Sequence, residues 1–209
     1  MIQPVSLDNI AQYQMHRRDV IEEELLELAD RYGPTNFYLA TLTIGDDYFR
    51  TWRHSHVYHR NRRGEIVLVI RNRQDRILLH TKPFYPADVY RLPTGGIRER
   101  ETVISSLYRE IYEETSFKPL SIQLCSVVLY HLQNKEDIFP FNSYIFKIEP
   151  DGEHPKPVDL AEEISGFEWI PESYLTHVVA KLEGLYPQRW RDWGKIRAVA
   201  HRIVGGMMM

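Results

Sequence analysis

The sequence predicts an α+β protein, because segments that favour β-strand lie between segments with helical periodicity. In the first helical segment, Ile21, Leu25, Leu28 and Tyr32 recur at spacings that place them on one helix face. The aliphatic run Ile66–Ile70 is typical of a buried strand. A chain of 209 residues is long enough for one domain with added elements.

The N-terminal part is predicted to contain a helix and a hairpin. The helix covers residues 6–32, and Gly33-Pro34 ends it, since proline cannot continue a helix. Residues 36–59 favour strand, with Gly45-Asp46-Asp47 as the turn.

The rest of the chain, residues 61–209, is predicted to form the main domain, with residues 1–60 as an extension. Its elements follow from the same periodicities and from the positions of glycine and proline. Strands are predicted at residues 66–71, 76–81, 89–93, 122–132, 142–149 and 167–170, and helices at 102–115, 172–182 and from Pro187 to Gly205-Gly206.

Composition argues against several classes of protein. The net charge of −3 offers no basic excess for nucleic acid, so no such partner is expected. The aliphatic run Ile66–Ile70 is too short to span a bilayer, and residues 1–20 lack an apolar signal segment. The single cysteine, Cys125, is compatible with a reducing compartment. We therefore expect a cytoplasmic protein without a membrane partner.

Three glutamates cluster on the helix predicted at residues 102–115. A helical residue advances by about 100°, so Glu110, Glu113 and Glu114 fall within an arc of roughly 100°. Such close carboxylates raise one another's pKa. A hard cation such as Mg²⁺ relieves this repulsion and keeps positions free for phosphate oxygens. A solvated acidic helix face is the alternative explanation.

The spacing of the residues around these glutamates separates the two explanations. The pattern consists of Gly95, Glu101, Arg109, Glu110, Ile111, Glu113, Glu114, Ser116 and Phe117. It resembles the Nudix signature GX5EX7REUXEEXGU, where U is apolar, at every defining position except Ser116, where glycine is usual. The chain is therefore similar to the Nudix hydrolase family over residues 64–175, with the Nudix box at residues 95–117.

This resemblance implies an α/β/α sandwich with a mixed β-sheet, to which this chain adds an N-terminal helical extension and a C-terminal helix. It also implies a pyrophosphohydrolase that uses Mg²⁺ or Mn²⁺ to cleave a nucleoside diphosphate linked to another group. Metals neutralise the pyrophosphate and activate water, and a glutamate accepts the proton. By position, the implied metal ligands are Glu110, Glu113, Glu114 and the Gly95 carbonyl, and the implied ordering pair is Glu101 and Arg109.

Residues outside the box are also candidates. Glu162 and Glu163 lie where resembling domains supply an extra ligand or the catalytic base, and Glu163 is slightly preferred over Glu162. The box glutamates are equally open as the base, and the alternative for Glu162 and Glu163 is a solvated turn before a strand. Lys82, Arg91 and Arg98 flank the predicted site and are candidates for binding phosphates. Arg91 is preferred because it lies just before the glycines, and a solvated surface position is the alternative for Lys82. Arg98 stands where relatives often carry an acidic residue, which puts the substrate preference in doubt.

Two roles are possible for the aromatic residues near the predicted site. Phe84, Tyr85 and Tyr90 either stack on a nucleobase or pack at the rim of the core. Trp190 and Trp193 are expected to cap the core.

Two alternative functions remain open. One is a Nudix-fold sensor that binds an effector without cleaving it, although this chain keeps every box glutamate. The other is an isomerase of the isopentenyl diphosphate type, whose catalytic cysteine has no well-placed counterpart in Cys125. Residues 1–60 are expected to form a homodimer interface or a lid. His54, His56 and His59 are read as a polar strand face rather than a metal site.

Overall fold

A computed structural model describes residues 1–13, 22–54 and 62–207, and its centre is a six-stranded sheet. The strands of the protein are β1 (Ile2–Val5), β2 (Asn36–Thr43), β3 (Arg62–Ile70), β4 (Arg76–Thr81), β5 (Thr94–Arg98), β6 (Pro119–Asn134), β7 (Asp137–Pro150) and β8 (Gly166–Pro171). The large sheet has the order β1-β2-β6-β7-β3-β5, and β4 pairs with β8 in a small second sheet. The large sheet is mixed, since β2–β6 and β3–β7 are parallel and the other pairs antiparallel.

Helices cover both faces of the large sheet. They are α1 (Ile10–Tyr13), α2 (Glu22–Tyr32), α3 (Asp46–His54), α4 (Val103–Thr115), α5 (Leu175–Glu183) and α6 (Gln188–Val204). Alternate residues of β3 point to opposite faces, as strand geometry requires. Leu68 lies in the core with α2 and α4, and Val69 lies in the core with α3, α5 and α6. The predicted sandwich with a mixed sheet is therefore confirmed.

The long N-terminal helix predicted at residues 6–32 is only partly present. Its last turns form α2, where Leu25 and Leu28 are buried as predicted, while Ile21 lies outside the described residues. Gly33 has a φ of 93° and follows the last turn, which agrees with the predicted stop. At the start of the predicted helix, before α1, Leu7–Asn9 form a 3₁₀ turn.

The hairpin predicted in residues 36–59 is wrong beyond β2. This strand pairs with β1 and β6, and residues 46–54 form α3. Phe49 and Trp52 are buried at helical spacing, and Asp46 and Asp47 stand in the first turn, where acidic side chains are favoured. His54 ends this helix, whereas His56 and His59 lie outside the described residues.

The strand predicted at residues 89–93 is also wrong. Only a bridge between His80 and Arg91 forms there, and β5 begins at Thr94. Asp88 adopts a positive φ in the preceding loop, and Pro93 has no N–H to donate. The predicted strands at 122–132 and 142–149 are present, but each is longer than expected.

The N-terminal segment shares the core of the main domain. It supplies β1 and β2 to the large sheet and contributes helices to both faces. The boundary at residues 60 and 61 stays a prediction. Across the described ranges, no helix is long and apolar enough to cross a membrane.

Candidate active site

Helix α4 carries the glutamates and is fixed at both ends by local hydrogen bonds. At its start, Thr102 Oγ1 accepts from the Ser105 amide over 3.1 Å, as expected of an N-cap. At its end, Ser116 has a φ of 62° and its amide donates to the Tyr112 carbonyl. Ser116 therefore adopts the left-handed conformation that glycine usually provides.

Arg109 connects three of the four glutamates of the signature, Glu101, Glu110 and Glu113. Its Nε and Nη2 donate to the two oxygens of Glu101 over 2.8 and 2.7 Å, which is a bidentate pair. Its Nη1 donates to Glu110 Oε1 over 2.6 Å and to Glu113 Oε2 over 3.0 Å, and Nη2 also reaches the Gly96 carbonyl. Hydrogen bonds from Arg109 lower the pKa of Glu101 to about 2.

Glu110 and Glu114 are buried, and neither carboxylate is fully satisfied. Glu110 Oε2 and both oxygens of Glu114 have no hydrogen-bond partner among the described residues. Burial raises the pKa of both groups, and repulsion by Glu110 raises that of Glu114 further. The nearest cationic candidate, His80, has its Nδ1 3.9 Å from Glu114 Oε2, but burial lowers the pKa of His80 and keeps it neutral. Buried carboxylates without partners are costly, and a bound cation would remove that cost.

The donor set fits a hard divalent cation. Within the described ranges, no three metal-binding side chains already converge on one point, since Arg109 lies between Glu110 and Glu113. The unpaired atoms of Glu110 and Glu114 are carboxylate oxygens, the type that Mg²⁺ and Mn²⁺ prefer, and the two ring nitrogens of the neighbouring His80 are unpaired as well. A Cβ on Gly95 would lie 1.7 Å from Glu110 Cδ, so glycine is required for this carboxylate to occupy its place.

A cleft of about 410 Å³ begins at Gly95. Charged and aromatic side chains dominate its walls. They are the cations Arg62, Lys82, Arg91 and Arg197, the carboxylates Glu65, Glu162 and Glu163, and the aromatic residues Tyr48, Trp52, Phe84, Tyr85 and Trp193. The cations provide attraction for an anionic ligand next to the unpaired carboxylates.

The three predicted phosphate-binding residues differ in position. Lys82 lines the cleft and donates to Glu162 Oε2 over 2.7 Å. Arg91 also lines it and binds neutral acceptors, among them the hydroxyl oxygens of Tyr85 and Thr94. Arg98 is not among the lining residues, and its side chain, at the last position of β5, is 63% exposed.

Both candidate bases outside the box line the cleft. Glu162 ends a short 3₁₀ turn and is held by Lys82, and its charge raises the pKa of Glu110 and Glu114. Glu163 follows with a φ of 51° and is more exposed. Of the two, Glu162 is therefore the carboxylate that interacts electrostatically with Glu110 and Glu114.

The sequence reasoning did not find the ion pair of Glu65 and Arg197. Arg197 Nη1 donates to Glu65 Oε2 over 2.7 Å, and Ser143 Oγ donates to Glu65 Oε1 over 2.8 Å. Burial opposes ionisation of Glu65, but Arg197 and these hydrogen bonds lower its pKa. The sequence places Trp193 and Arg197 four residues apart, on one face of α6, but it does not indicate the partner of Arg197.

Comparison with known proteins identifies the family. A model described as NUDIX domain matches residues 60–189, more than half of the chain. The chain therefore belongs to the NUDIX domain family, and the prediction of a Nudix-type enzyme is confirmed.

The relatives carry more specific names. A protein called RNA pyrophosphohydrolase from Psychrobacter sp. (strain PRwf-1) is 26% identical over 145 residues, which is 62% of this chain and 83% of that protein. One of the same name from Francisella philomiragia is 31% identical over 62 residues, which is 30% of this chain and 39% of that relative.

Solved structures with some likeness include the MutT protein from Bacillus halodurans, with a TM-score of 0.45 and 19% identity over 55% of this chain and 71% of the other. The NUDIX domain of Shewanella oneidensis NrtR, complexed with ADP ribose, has a TM-score of 0.43 and 16% identity over 66% of this chain and 86% of the other.

Proposed function

We propose that this protein hydrolyses a phosphoanhydride bond in a nucleoside diphosphate linked to another group, and that it requires Mg²⁺ or Mn²⁺. One observation carries the proposal: buried oxygens of Glu110 and Glu114 are unpaired, and Gly95, which lies against Glu110, lines a cleft that also contains four cations. A purely structural acidic face would be solvated or paired, because unpaired buried carboxylates are costly.

Glu110, Glu113, Glu114 and the Gly95 carbonyl would hold the metal. When bound, it neutralises the pyrophosphate and lowers the pKa of water. Arg109 orients Glu110 and Glu113 through its hydrogen bonds.

Residues of the cleft wall would bind the phosphate groups of the substrate. Arg91 and Lys82 supply positive charge for this task. Arg98, by its position, has at most a long-range effect.

A carboxylate near the attacking water would accept its proton. Glu162 and Glu163 are the candidates, because box glutamates that bind metal lose basicity. Glu162 has the stronger support, since its charge acts on Glu110 and Glu114. Lys82 would hold this carboxylate in place through its hydrogen bond.

The name RNA pyrophosphohydrolase, carried by these relatives, supports a pyrophosphate bond on RNA as a second substrate. The reaction class would be the same, because a phosphoanhydride bond is cleaved there as well. A sensor without activity has less support, because all box glutamates are present. An isomerase also has less support, since Cys125 is not among the cleft-lining residues and burial raises its pKa.

A substrate panel tests this proposal. Nucleoside triphosphates, ADP-ribose, dinucleoside polyphosphates, nucleotide sugars and 5′-triphosphorylated RNA are incubated with Mg²⁺ or Mn²⁺, and products are identified by mass spectrometry. We expect phosphate, pyrophosphate or a nucleoside monophosphate from at least one substrate, and none in excess chelator. Full activity in chelator, or binding without turnover across the panel, would overturn the proposal.

A further inference from the structure

Part of the cleft wall is built from segments that lie outside, or at the limit of, the family match. Helix α3 ends at His54, before the match begins at residue 60. Helix α6 begins at Gln188, where the match ends at residue 189. These two helices supply Trp52 and Trp193 to the cleft. Both tryptophans of the cleft wall therefore lie outside the residues of the family match.

One part of that wall is a fixed aromatic surface. The rings of Tyr85 and Trp193 have centroids 5.0 Å apart, and Phe84 packs edge-on against Tyr85 at the same distance. Tyr85 cannot swing away easily, because Arg91 Nε and Nη2 both donate to its hydroxyl oxygen, over 2.9 and 2.6 Å. The surface is thus organised before any ligand arrives.

A second part combines an aromatic ring with a cation. The Arg197 guanidinium lies 5.7 Å from the centre of the Trp52 ring and is fixed by its ion pair with Glu65. Arg197 Nε is buried, and no hydrogen-bond partner for it exists among the described residues. A hydrogen-bond acceptor on a ligand would satisfy this donor.

Core packing alone does not account for the surface. Phe84 is 54% exposed although it is large and apolar, and Trp193 is only partly buried. A planar group with polar edges would cover the exposed rings and, at the same time, accept a hydrogen bond from Arg197 Nε. The volume of about 410 Å³ falls in the range of small-molecule sites.

We propose that Tyr85 and Trp193, with Trp52 and Arg197, form the subsite for the nucleobase of the substrate. Helices α3 and α6 then select which nucleotide derivative is cleaved. This subsite rests on the proposed function in one respect, that the phosphates of the substrate lie near Gly95. Stacking of a nucleobase on these rings does not itself require a metal.

Binding without metal tests this subsite. AMP, GMP, CMP and UMP are titrated in EDTA by calorimetry against the wild type, Trp193→Leu, Trp193→Phe and the control Tyr174→Ala. Tyr174 is an exposed aromatic residue that is not among the cleft-lining residues. We expect Trp193→Leu to weaken the tightest monophosphate tenfold or more, since base stacking contributes this much. Trp193→Phe should restore most of the affinity, and Tyr174→Ala should match the wild type.

Kinetics with substrates that carry or lack a nucleobase distinguish the nucleobase subsite from the proposed hydrolase function. Trp193→Leu should raise KM for the best nucleotide substrate, but leave KM for methyl diphosphate unchanged. Equal monophosphate affinity in wild type and Trp193→Leu, or an equal rise in both KM values, would overturn the subsite. Base-dependent binding in EDTA without any metal-dependent hydrolysis would instead overturn the proposed function and leave the subsite standing.

Discussion

Arg109 and Glu110 are neighbours in the chain and form an ion pair of 2.6 Å that uses only one oxygen of the glutamate. The other oxygen, Oε2, is buried without a partner among the described residues. Arg109 also contacts Glu113, but none of its hydrogen bonds reaches Glu114. Glu114 is therefore the carboxylate for which a metal ion would matter most.

Replacing Glu114 by glutamine should separate metal binding from folding. The amide keeps the shape of the side chain and removes a buried charge, so metal-free stability should be equal or higher. A ligand that binds only the native state raises the melting temperature. We therefore expect Mg²⁺ or Mn²⁺ to raise the melting temperature of the wild type and to leave that of Glu114→Gln unchanged. Turnover should fall by several orders of magnitude. Glu168→Gln, an exposed change on β8, is the control. A normal metal-induced shift in Glu114→Gln would remove this residue from the metal site.

Single glutamine variants of Glu162 and Glu163 should identify the base. We expect Glu162→Gln to lower kcat by about 100-fold or more, since general-base catalysis contributes on this scale. Glu163→Gln is the matched control for the same loop and should change kcat less. Thermal melting should be little altered in both. Near-normal kcat in the double variant would mean that a box glutamate is the general base. A larger loss of kcat in Glu163→Gln than in Glu162→Gln would identify Glu163 as the base instead.

Replacing Ser116 by glycine should stabilise the protein. Ser116 is exposed and has a φ of 62°, a conformation that costs a residue with a Cβ roughly 1 kcal/mol. Glycine adopts it without that cost, although part of the gain is lost to its greater freedom in the unfolded chain. We therefore expect a gain of up to about 1 kcal/mol in urea unfolding. A loss of similar size would show that the serine hydroxyl stabilises the end of α4.

Local signals allowed the box to be predicted from the sequence. The spacing of Glu110, Glu113 and Glu114 depends only on helix geometry, and Thr102 and Ser116 mark the ends of that helix within one turn. Such features are set by neighbours a few residues apart in the chain. The helix and the identity of its clustered carboxylates were therefore accessible without any tertiary information.

Contacts between distant segments were not accessible in the same way. Glu65 and Arg197 are 132 residues apart, and no local pattern reports that they form a pair. The hairpin prediction failed for a related reason, because β2 finds its parallel partner in β6 rather than in the residues that follow it. The side chain of Asp192 also accepts from the Gly45 amide, just before α3 begins.

The N-terminal segment should be part of the folding unit. Leu28 on α2 is 2% exposed and lies in the same core as Leu107 of α4, while Leu26 on the same helix is 54% exposed. We expect Leu28→Ala to lower the free energy of unfolding by about 2–5 kcal/mol, and Leu26→Ala to change it by less than about 0.5 kcal/mol. Urea unfolding of both variants measures the difference. Equal stabilities would mean that residues 1–60 fold independently of the main domain.

The buried imidazole of His201 should make stability fall on mild acidification. Its Nε2 accepts from the Leu92 amide over 2.9 Å and its Nδ1 donates to the Arg197 carbonyl over 2.8 Å, so the neutral form is the one that fits. Burial lowers its pKa to about 4, against a value of about 6.5 in the unfolded chain. The unfolded state therefore binds a proton that the native state does not, between pH 6.5 and 4. Stability attributable to this residue is complete above pH 6.5 and decreases as the pH falls, by roughly 3 kcal/mol in total.

The difference between the wild type and His201→Gln isolates this effect. Glutamine retains a donor and an acceptor but does not titrate, so the stability gap between the two proteins should narrow from pH 7 to pH 5. The exposed His154→Gln serves as the control and should follow the wild type at both values. Free energies of unfolding in urea at pH 7, 6 and 5 provide the measurement. A gap that stays constant across this range would show that His201 accepts its proton in the native protein as readily as in the unfolded chain.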